Sequence, residues 1–150
     1  MIYLYKVFLY LYYYVVYFLA IKNIKAKQWI EGRKNFKSKI DGLGLNNCIW
    51  FHASSLGEFE QISYLIETIR KNHPHEKLLV SFFSPSGYEM KKNFQYADHV
   101  MYLPFDFESD VRYFIETIQP TLVFWVRYEF WLNVLSELRT KNIPIHLFLT

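Results

Sequence analysis

The chain has 150 residues, enough for one domain with a hydrophobic core or for half of a two-domain enzyme, and 52% of them are hydrophobic. This composition excludes a disordered chain, and the single cysteine, Cys48, excludes an internal disulfide framework and a cysteine-rich zinc site. The formal charge of +3 is unevenly spread, because residues 22–40 carry seven cations against Glu31 while residues 41–150 are net acidic.

Residues 1–21 are apolar and aromatic, and Lys6 is their only charge. The run has the length of a helix that spans or is embedded in a membrane, and the lysines that follow it indicate that the rest of the chain is cytoplasmic. An interfacial helix, or the first packed helix of the domain, is the alternative. We therefore expect a membrane-anchor helix at 1–21, followed by a basic juxtamembrane segment and linker at 22–47.

From residue 48 to residue 150, short runs rich in β-branched and aromatic residues alternate with amphipathic stretches. Five runs predict strands: CIWFHA, KLLVSFF, HVMYL, TLVFWV and PIHLFL. Four stretches between and after them predict helices: EFEQISYLIETIRKN, SGYEMKKNFQ, FESDVRYFIETI and FWLNVLSELRTKN. Apolar strands separated by helices are typical of a parallel sheet covered on both faces. The fold is predicted to be α/β and Rossmann-like.

Unusual polar residues occur where three of the predicted strands end, in HASSLGE (52–58), SPSGYE (84–89) and RYEFWLN (127–133). Ligands of open α/β sheets bind at this edge, so these segments are candidates for ligand contacts. None of them contains GxGxxG, GKS or HExxH, which removes the commoner nucleotide-binding and metalloprotease interpretations. We predict no metal site, no cofactor and no nucleic-acid partner.

The first of these segments is partly explained by helix chemistry. Ser55 and Glu58 have the spacing of a capping box. A capping box explains these two residues but does not explain His52 and Ser54. A glutamate in the first turn of a helix feels the helix dipole, which favours negative charge. Glu58 is therefore a candidate proton acceptor.

The series WFHASSLGE, SFFSPSGYE, YLPFD and RYEFWLN resembles, in order and spacing, the N-terminal half of the 3-deoxy-D-manno-octulosonic acid (Kdo) transferases of Gram-negative bacteria. That family consists of two-domain GT-B glycosyltransferases of lipopolysaccharide biosynthesis. The resemblance implies that Kdo is transferred from CMP-Kdo to lipid A precursor, with inversion, at the cytoplasmic face of the inner membrane. It also implies that a C-terminal domain mainly holds the donor, so we expect this chain to bind the acceptor and to be inactive alone.

The resemblance implies that Glu58 is the catalytic base. The other candidate substrate-binding residues are His52, Ser54, Ser55, Gly57, Ser84, Ser86, Gly87, Arg127, Glu129, Trp131 and Asn133. The third motif departs from the family pattern, since Arg127 replaces a carboxylate and Leu132 replaces a proline.

Ordinary structural roles remain open for several of these residues. The serine-glycine segment after the second strand could be a simple turn, Glu129 a first-turn helix carboxylate, and Trp131 or His52 a core residue. Two other functions also remain open: a membrane-associated GT-B glycosyltransferase of different specificity, and a non-catalytic, membrane-tethered binding module.

Overall fold

The computed structural model describes residues 2–126 and 129–148, and within them the core is one parallel sheet. Its strands are β1 (Ile49–Ala53), β2 (Leu78–Phe82), β3 (His99–Tyr102), β4 (Leu122–Val126) and β5 (Ile145–Phe148). All neighbouring pairs are parallel, and the strand order is β3-β2-β1-β4-β5. The predicted parallel α/β sheet and its five strands are confirmed, with boundaries that differ by at most one residue.

Seven helices accompany the sheet in the described part of the chain. They are α1 (Ile2–Leu19), α2 (Ile24–Arg33), α3 (Phe36–Asp41), α4 (Leu56–Asn72), α5 (Pro85–Lys91), α6 (Glu108–Ile118) and α7 (Leu132–Thr140). The four helices predicted after residue 48 correspond to α4, α5, α6 and α7. Helices α2 and α3 were not predicted.

The two faces of the sheet bury separate hydrophobic clusters, as the period of two along each strand requires. Trp50, Leu79 and Trp125 pack with α3, α6 and α7, while Phe51, Val80 and Phe82 pack with α4 and α5. Each inner strand therefore has both faces covered, which explains why these strands read as continuous apolar runs rather than alternating ones.

Helix α1 packs against the domain through one side. Its Leu9 belongs to a third cluster with Trp29, Ile30 and Phe105, and Tyr12 stacks on the Phe105 ring at 5.8 Å. None of the helices in the described part of the chain has the length and apolar character of a segment that crosses a bilayer. The expectation of a spanning helix is thus not supported, and α1 is the first packed helix of the domain.

Residues 22–47 contain two packed helices where a juxtamembrane linker was expected. Asn23 caps α2 by accepting hydrogen bonds from the backbone N–H groups of Lys25 and Ala26, and α2 buries Trp29 and Ile30. The short helix α3 buries Ile40 in the main core. These helices could not be predicted from the lysine-rich sequence, because only a few of their residues face the core.

Candidate active site

The three polar segments converge at the carboxyl edge of the sheet, on both sides of strand β1. Strand β1 lies between β2 and β4. The chain adds β2 and β3 on one side of β1 and then β4 and β5 on the other side, so the direction in which strands are added switches between β1 and β4. A crevice forms outside such a switch point, and open α/β proteins bind ligands there. The loops after β1 and β2 are tied together, since the Ser84 backbone N–H donates to the Ser54 carbonyl over 2.9 Å.

Glu58 lies in the first turn of α4 and is only partly buried. Its Oε2 accepts hydrogen bonds from the backbone N–H groups of Ser54, at 2.6 Å, and Ser55, at 3.3 Å, and the capping box with Ser55 is present. Among the contacts of the described residues, Oε1 has no hydrogen-bond partner. One oxygen thus fixes the carboxylate and the other is left open, which suits a residue that both caps a helix and accepts a proton.

Glu129 follows strand β4 and lies close enough to Glu58 for the two charges to interact. Burial raises the pKa of the Glu129 carboxyl group, and the negative charge of Glu58 raises it further. The Ser54 hydroxyl, the Trp131 indole and the positive charge of Arg33 act in the opposite direction. The Trp131 Nε1–H donates to Glu129 Oε2 over 3.2 Å. The structure therefore brings together the two carboxylates that the sequence singled out.

The Ser54 side chain is buried beside these carboxylates. Its Oγ makes no hydrogen bond of ordinary geometry among the described residues, although it lies close enough to lower the pKa of Glu129. A buried hydroxyl without a regular partner is uncommon in native proteins. Ser54 thus places a hydroxyl group beside the Glu129 carboxylate.

His52 does not reach the crevice, because its side chain is completely buried within the sheet. Its Nδ1 lies 2.8 Å from Ser81 Oγ, which also accepts a hydrogen bond from Trp50 Nε1, and its ring lies 4.2 Å from the Trp125 ring. Burial lowers the pKa of His52 to about 3, so it is neutral at physiological pH. This geometry supports a core histidine and does not support a direct substrate contact.

The two candidate glycines, Gly87 and Gly57, differ in whether side-chain packing requires a glycine. A Cβ on Gly87 would lie 2.2 Å from the Phe82 ring, so Gly87 is required for packing α5 against β2. A Cβ on Gly57 would meet nothing within 4 Å. Gly57 weakens the first turn of α4, and packing gives no reason for a glycine at this position.

Ser84 and Ser86 lie at the start of α5. Their hydroxyl groups are 2.8 Å apart and form a hydrogen bond with each other.

Asn133 is held by hydrogen bonds to a buried aspartate, Asp106. Asp106 Oδ2 accepts from the Asn133 backbone N–H and Asp106 Oδ1 from the Val134 N–H, both at 3.0 Å, while Asn133 Nδ2 donates to the Asp106 carbonyl. The Tyr5 hydroxyl of α1 also donates to Asp106, over 2.5 Å. Burial raises the pKa of Asp106 and these donors oppose that rise. Asp106 therefore caps α7 from another part of the chain.

The departure at Leu132 has a structural counterpart. The Leu132 backbone N–H donates to the Tyr5 hydroxyl over 3.3 Å, a bond that a proline at this position could not make. Helix α1 is thereby attached directly to the start of α7. The other departure, Arg127, lies outside the described residues.

Two residues that organise this edge were missed from sequence. Asp106 was named only as the last residue of YLPFD and was given no role. A carboxylate directly after the apolar run YLPF indicates a buried hydrogen-bond acceptor. Arg33 was counted only as one of the seven cations of residues 22–40, yet its guanidinium carbon lies 4.0 Å from the centroid of the Trp29 ring. Only the tertiary structure shows which groups they bind.

Known proteins are similar in sequence to most of this chain. The sequence model of the family described as 3-deoxy-D-manno-octulosonic-acid transferase (kdotransferase) matches residues 26–149. The 3-deoxy-D-manno-octulosonic acid transferase of Haemophilus influenzae is 28% identical over 134 residues, covering 85% of this chain and 30% of the relative. The enzyme of the same name from Aquifex aeolicus is 27% identical over 108 residues, covering 69% of this chain and 30% of the relative.

A third relative carries a different name. The bifunctional glycosyltransferase/methyltransferase of Fusobacterium nucleatum is 33% identical over 131 residues, covering 81% of this chain and 19% of the relative. The chain thus spans less than a third of the length of these curated relatives. Because the family model covers most of the chain, this protein belongs to the 3-deoxy-D-manno-octulosonic-acid transferase family.

Proposed function

We propose that this chain is the acceptor-binding, base-supplying half of a GT-B glycosyltransferase that transfers Kdo from CMP-Kdo to lipid A precursor in lipopolysaccharide biosynthesis. The observation that carries the proposal is the proximity of Glu58 and Glu129, which follow the neighbouring strands β1 and β4 at one edge of the sheet and whose charges interact. Relatives named Kdo transferases support the substrate class. Their additional length supports a separate domain that holds the donor.

The proposed chemistry assigns the open oxygen of Glu58 to the acceptor. A sugar hydroxyl of the acceptor attacks the anomeric carbon of Kdo, and the bond to the CMP phosphate breaks with its electron pair leaving on the phosphate. Glu58 Oε1 takes the hydroxyl proton as the new bond forms, while the two backbone N–H groups on Oε2 keep the carboxylate in place. Attack opposite to the leaving group inverts the anomeric carbon.

Binding of the acceptor can be tested on this chain as it is. The deacylated, bisphosphorylated disaccharide of lipid A precursor is titrated into ¹⁵N-labelled protein, and the amide and indole signals are followed by NMR. We expect the Ser54 and Ser55 amides and the Trp131 indole to shift. The Trp50 indole, which is buried and bonded to Ser81, is the internal control and is expected to stay in place. Shifts confined to other regions, or none at millimolar ligand, would contradict the proposal.

The relative from Fusobacterium nucleatum favours a second candidate, a glycosyltransferase of different specificity. The same fold and the same carboxylate pair would then serve another acceptor hydroxyl. The titration separates the two candidates when a glucosamine disaccharide without phosphates is used in parallel. A site for lipid A precursor should shift more with the phosphorylated disaccharide than with the one without phosphates. Equal shifts with both ligands would favour the second candidate.

We also propose that the chain lies on the cytoplasmic face of the inner membrane, with the outer side of α1 in the lipid headgroup region. That side exposes a continuous apolar and aromatic surface: Tyr3, Leu4, Val7, Phe8, Tyr10, Leu11, Tyr14, Val15, Tyr17, Phe18 and Leu19. Exposed lysines lie next in the chain: Lys22, Lys25, Lys27, Lys34, Lys37 and Lys39. An apolar helix face beside lysines is typical of interfacial attachment, and each cation contributes about 1 kcal/mol near an anionic surface.

Substitution tests this attachment better than truncation, because removing α1 would uncover the cluster around Leu9. Leu4, Leu11 and Phe18, spaced seven residues apart, are 80%, 61% and 65% exposed. Changing all three to Gln should weaken binding to anionic vesicles by roughly 10²-fold or more, since each large apolar side chain contributes about 1.5–3 kcal/mol when buried. Vesicle sedimentation measures this loss.

The control is a variant with Gln at two exposed apolar residues elsewhere, Tyr64 and Met90, which are 78% and 69% exposed. It should bind vesicles as the unchanged protein does. Equal binding by the α1 variant and the unchanged protein would contradict attachment through this helix.

A further inference from the structure

Arg33, at the end of α2, makes contacts that a surface cation does not make. Its Nε donates to the Leu103 carbonyl over 2.8 Å, and its two terminal nitrogens donate to the carbonyls of Phe83, at 2.8 Å, and Trp29, at 3.1 Å. Phe83 and Leu103 directly follow strands β2 and β3. One guanidinium group therefore ties α2 to the carboxyl ends of two strands.

Aromatic rings enclose the same guanidinium. Its central carbon lies 4.0 Å from the Trp29 ring centroid and 4.9 Å from the centroids of Phe83 and Tyr102. Burial lowers the pKa of Arg33 to about 9, which leaves it a cation at neutral pH. A planar guanidinium can stack and donate in several directions at once, whereas a lysine ammonium cannot.

A continuous set of contacts leads from Arg33 to the carboxylates. The Phe83 ring lies 4.6 Å from the Trp131 ring, and the Trp131 indole N–H donates to Glu129 Oε2. Arg33 thus holds both the carbonyl and the ring of Phe83, while Phe83 packs against the residue that orients Glu129.

The charge of Arg33 also acts on Glu129. The polar groups that influence Glu129 come from four places: Ser54 and Glu58 beside β1, Trp131 in its own segment, Tyr12 of α1, and Arg33 of α2. Among these described groups, Arg33 is the one cation, and Glu58 is the anion. Their effects on the pKa of Glu129 therefore have opposite signs.

We propose that Arg33 is a positioning residue of the candidate site: through Phe83 it fixes Trp131 against Glu129, and its positive charge offsets the negative charge of Glu58 at Glu129. The proposal rests on the proposed function only for the chemical use of Glu129. Its test needs no glycosyl transfer, so either proposal can fail while the other holds.

The test follows the Trp131 indole N–H signal by NMR as a function of pH, because its partner is the Glu129 carboxylate. The Glu129→Gln variant should abolish the titration and so identify it. Replacing Arg33 with Gln removes a positive charge and should raise the midpoint, while Glu58→Gln removes a negative charge and should lower it. Arg33→Lys, which keeps the charge, should restore most of the original midpoint.

Phe83→Leu tests the positional part, because it keeps the carbonyl that Arg33 binds and removes the ring that Trp131 contacts. We expect a broadened Trp131 signal and a smaller titration amplitude. Arg112→Gln, at an exposed arginine paired with Glu108, is the control and should change neither. An unchanged midpoint in Arg33→Gln, or an unchanged Trp131 signal in Phe83→Leu, would overturn the proposal. If Arg33→Gln does not fold, Arg33→Lys decides it, because this variant keeps the charge and loses the guanidinium contacts; an unchanged Trp131 signal in Arg33→Lys would overturn the positioning role.

Discussion

Glu58→Gln is expected to lower the rate of Kdo transfer about 10²- to 10⁴-fold and to leave the melting temperature nearly unchanged, as loss of a general base does. The glutamine carbonyl can still accept from the Ser54 and Ser55 backbone N–H groups, so the start of α4 is kept. It cannot accept the acceptor's proton. The assay uses a chimera in which this chain replaces the matching N-terminal region of the Haemophilus influenzae relative.

A matched control lies in the same helix. Glu60 is exposed and pairs with Lys91, and Glu60→Gln should leave both transfer and melting temperature near the unchanged values. Transfer by Glu58→Gln within a few-fold of the unchanged chimera would exclude a base at this position. A large fall in melting temperature would show that Glu58 serves mainly as a helix cap.

Asp106→Ala is expected to reduce the free energy of unfolding by about 2–4 kcal/mol, because buried donors lose a charged acceptor. The affected groups are the backbone N–H groups of Asn133 and Val134 and the hydroxyl of Tyr5. Urea denaturation of the chain measures the effect. The loss should be accompanied by weaker packing of α1, since Tyr5 joins that helix to α7.

Asp110→Ala is the control for this stability measurement. Asp110 is partly exposed and forms an ion pair with Lys37, so its loss should cost less than about 1 kcal/mol. If the two variants are equally stable, Asp106 does not cap α7 as its contacts indicate.

The strands and the carboxylate pair could be predicted from sequence because their signals are local. Runs such as KLLVSFF have few alternatives to a buried strand, and Glu58 has a capping spacing to Ser55. Parallel topology then places the segments after β1 and β4 at one edge. The convergence of Glu58 and Glu129 follows from those two facts.

The role of α1 and the identity of the positioning groups could not be predicted in this way. An apolar run with one charge is compatible with a membrane segment and with a packed helix, and the sequence does not show that Tyr5 in this run bonds to Asp106. His52 and Asn133 occupy motif positions, yet the first is buried in the sheet and the second forms hydrogen bonds with Asp106. Arg33 looks like its lysine neighbours until the aromatic rings around it are known.

Kdo transfer by the chimera with the unchanged chain tests the central claim most directly. CMP-Kdo and lipid A precursor are supplied, and product is measured by mass spectrometry beside the unmodified Haemophilus influenzae enzyme. We predict that Kdo is added to the precursor and that Glu58→Gln lowers the rate of this transfer about 10²- to 10⁴-fold. A folded chimera that binds CMP-Kdo and the acceptor but transfers no Kdo would contradict the claim that this chain supplies the base.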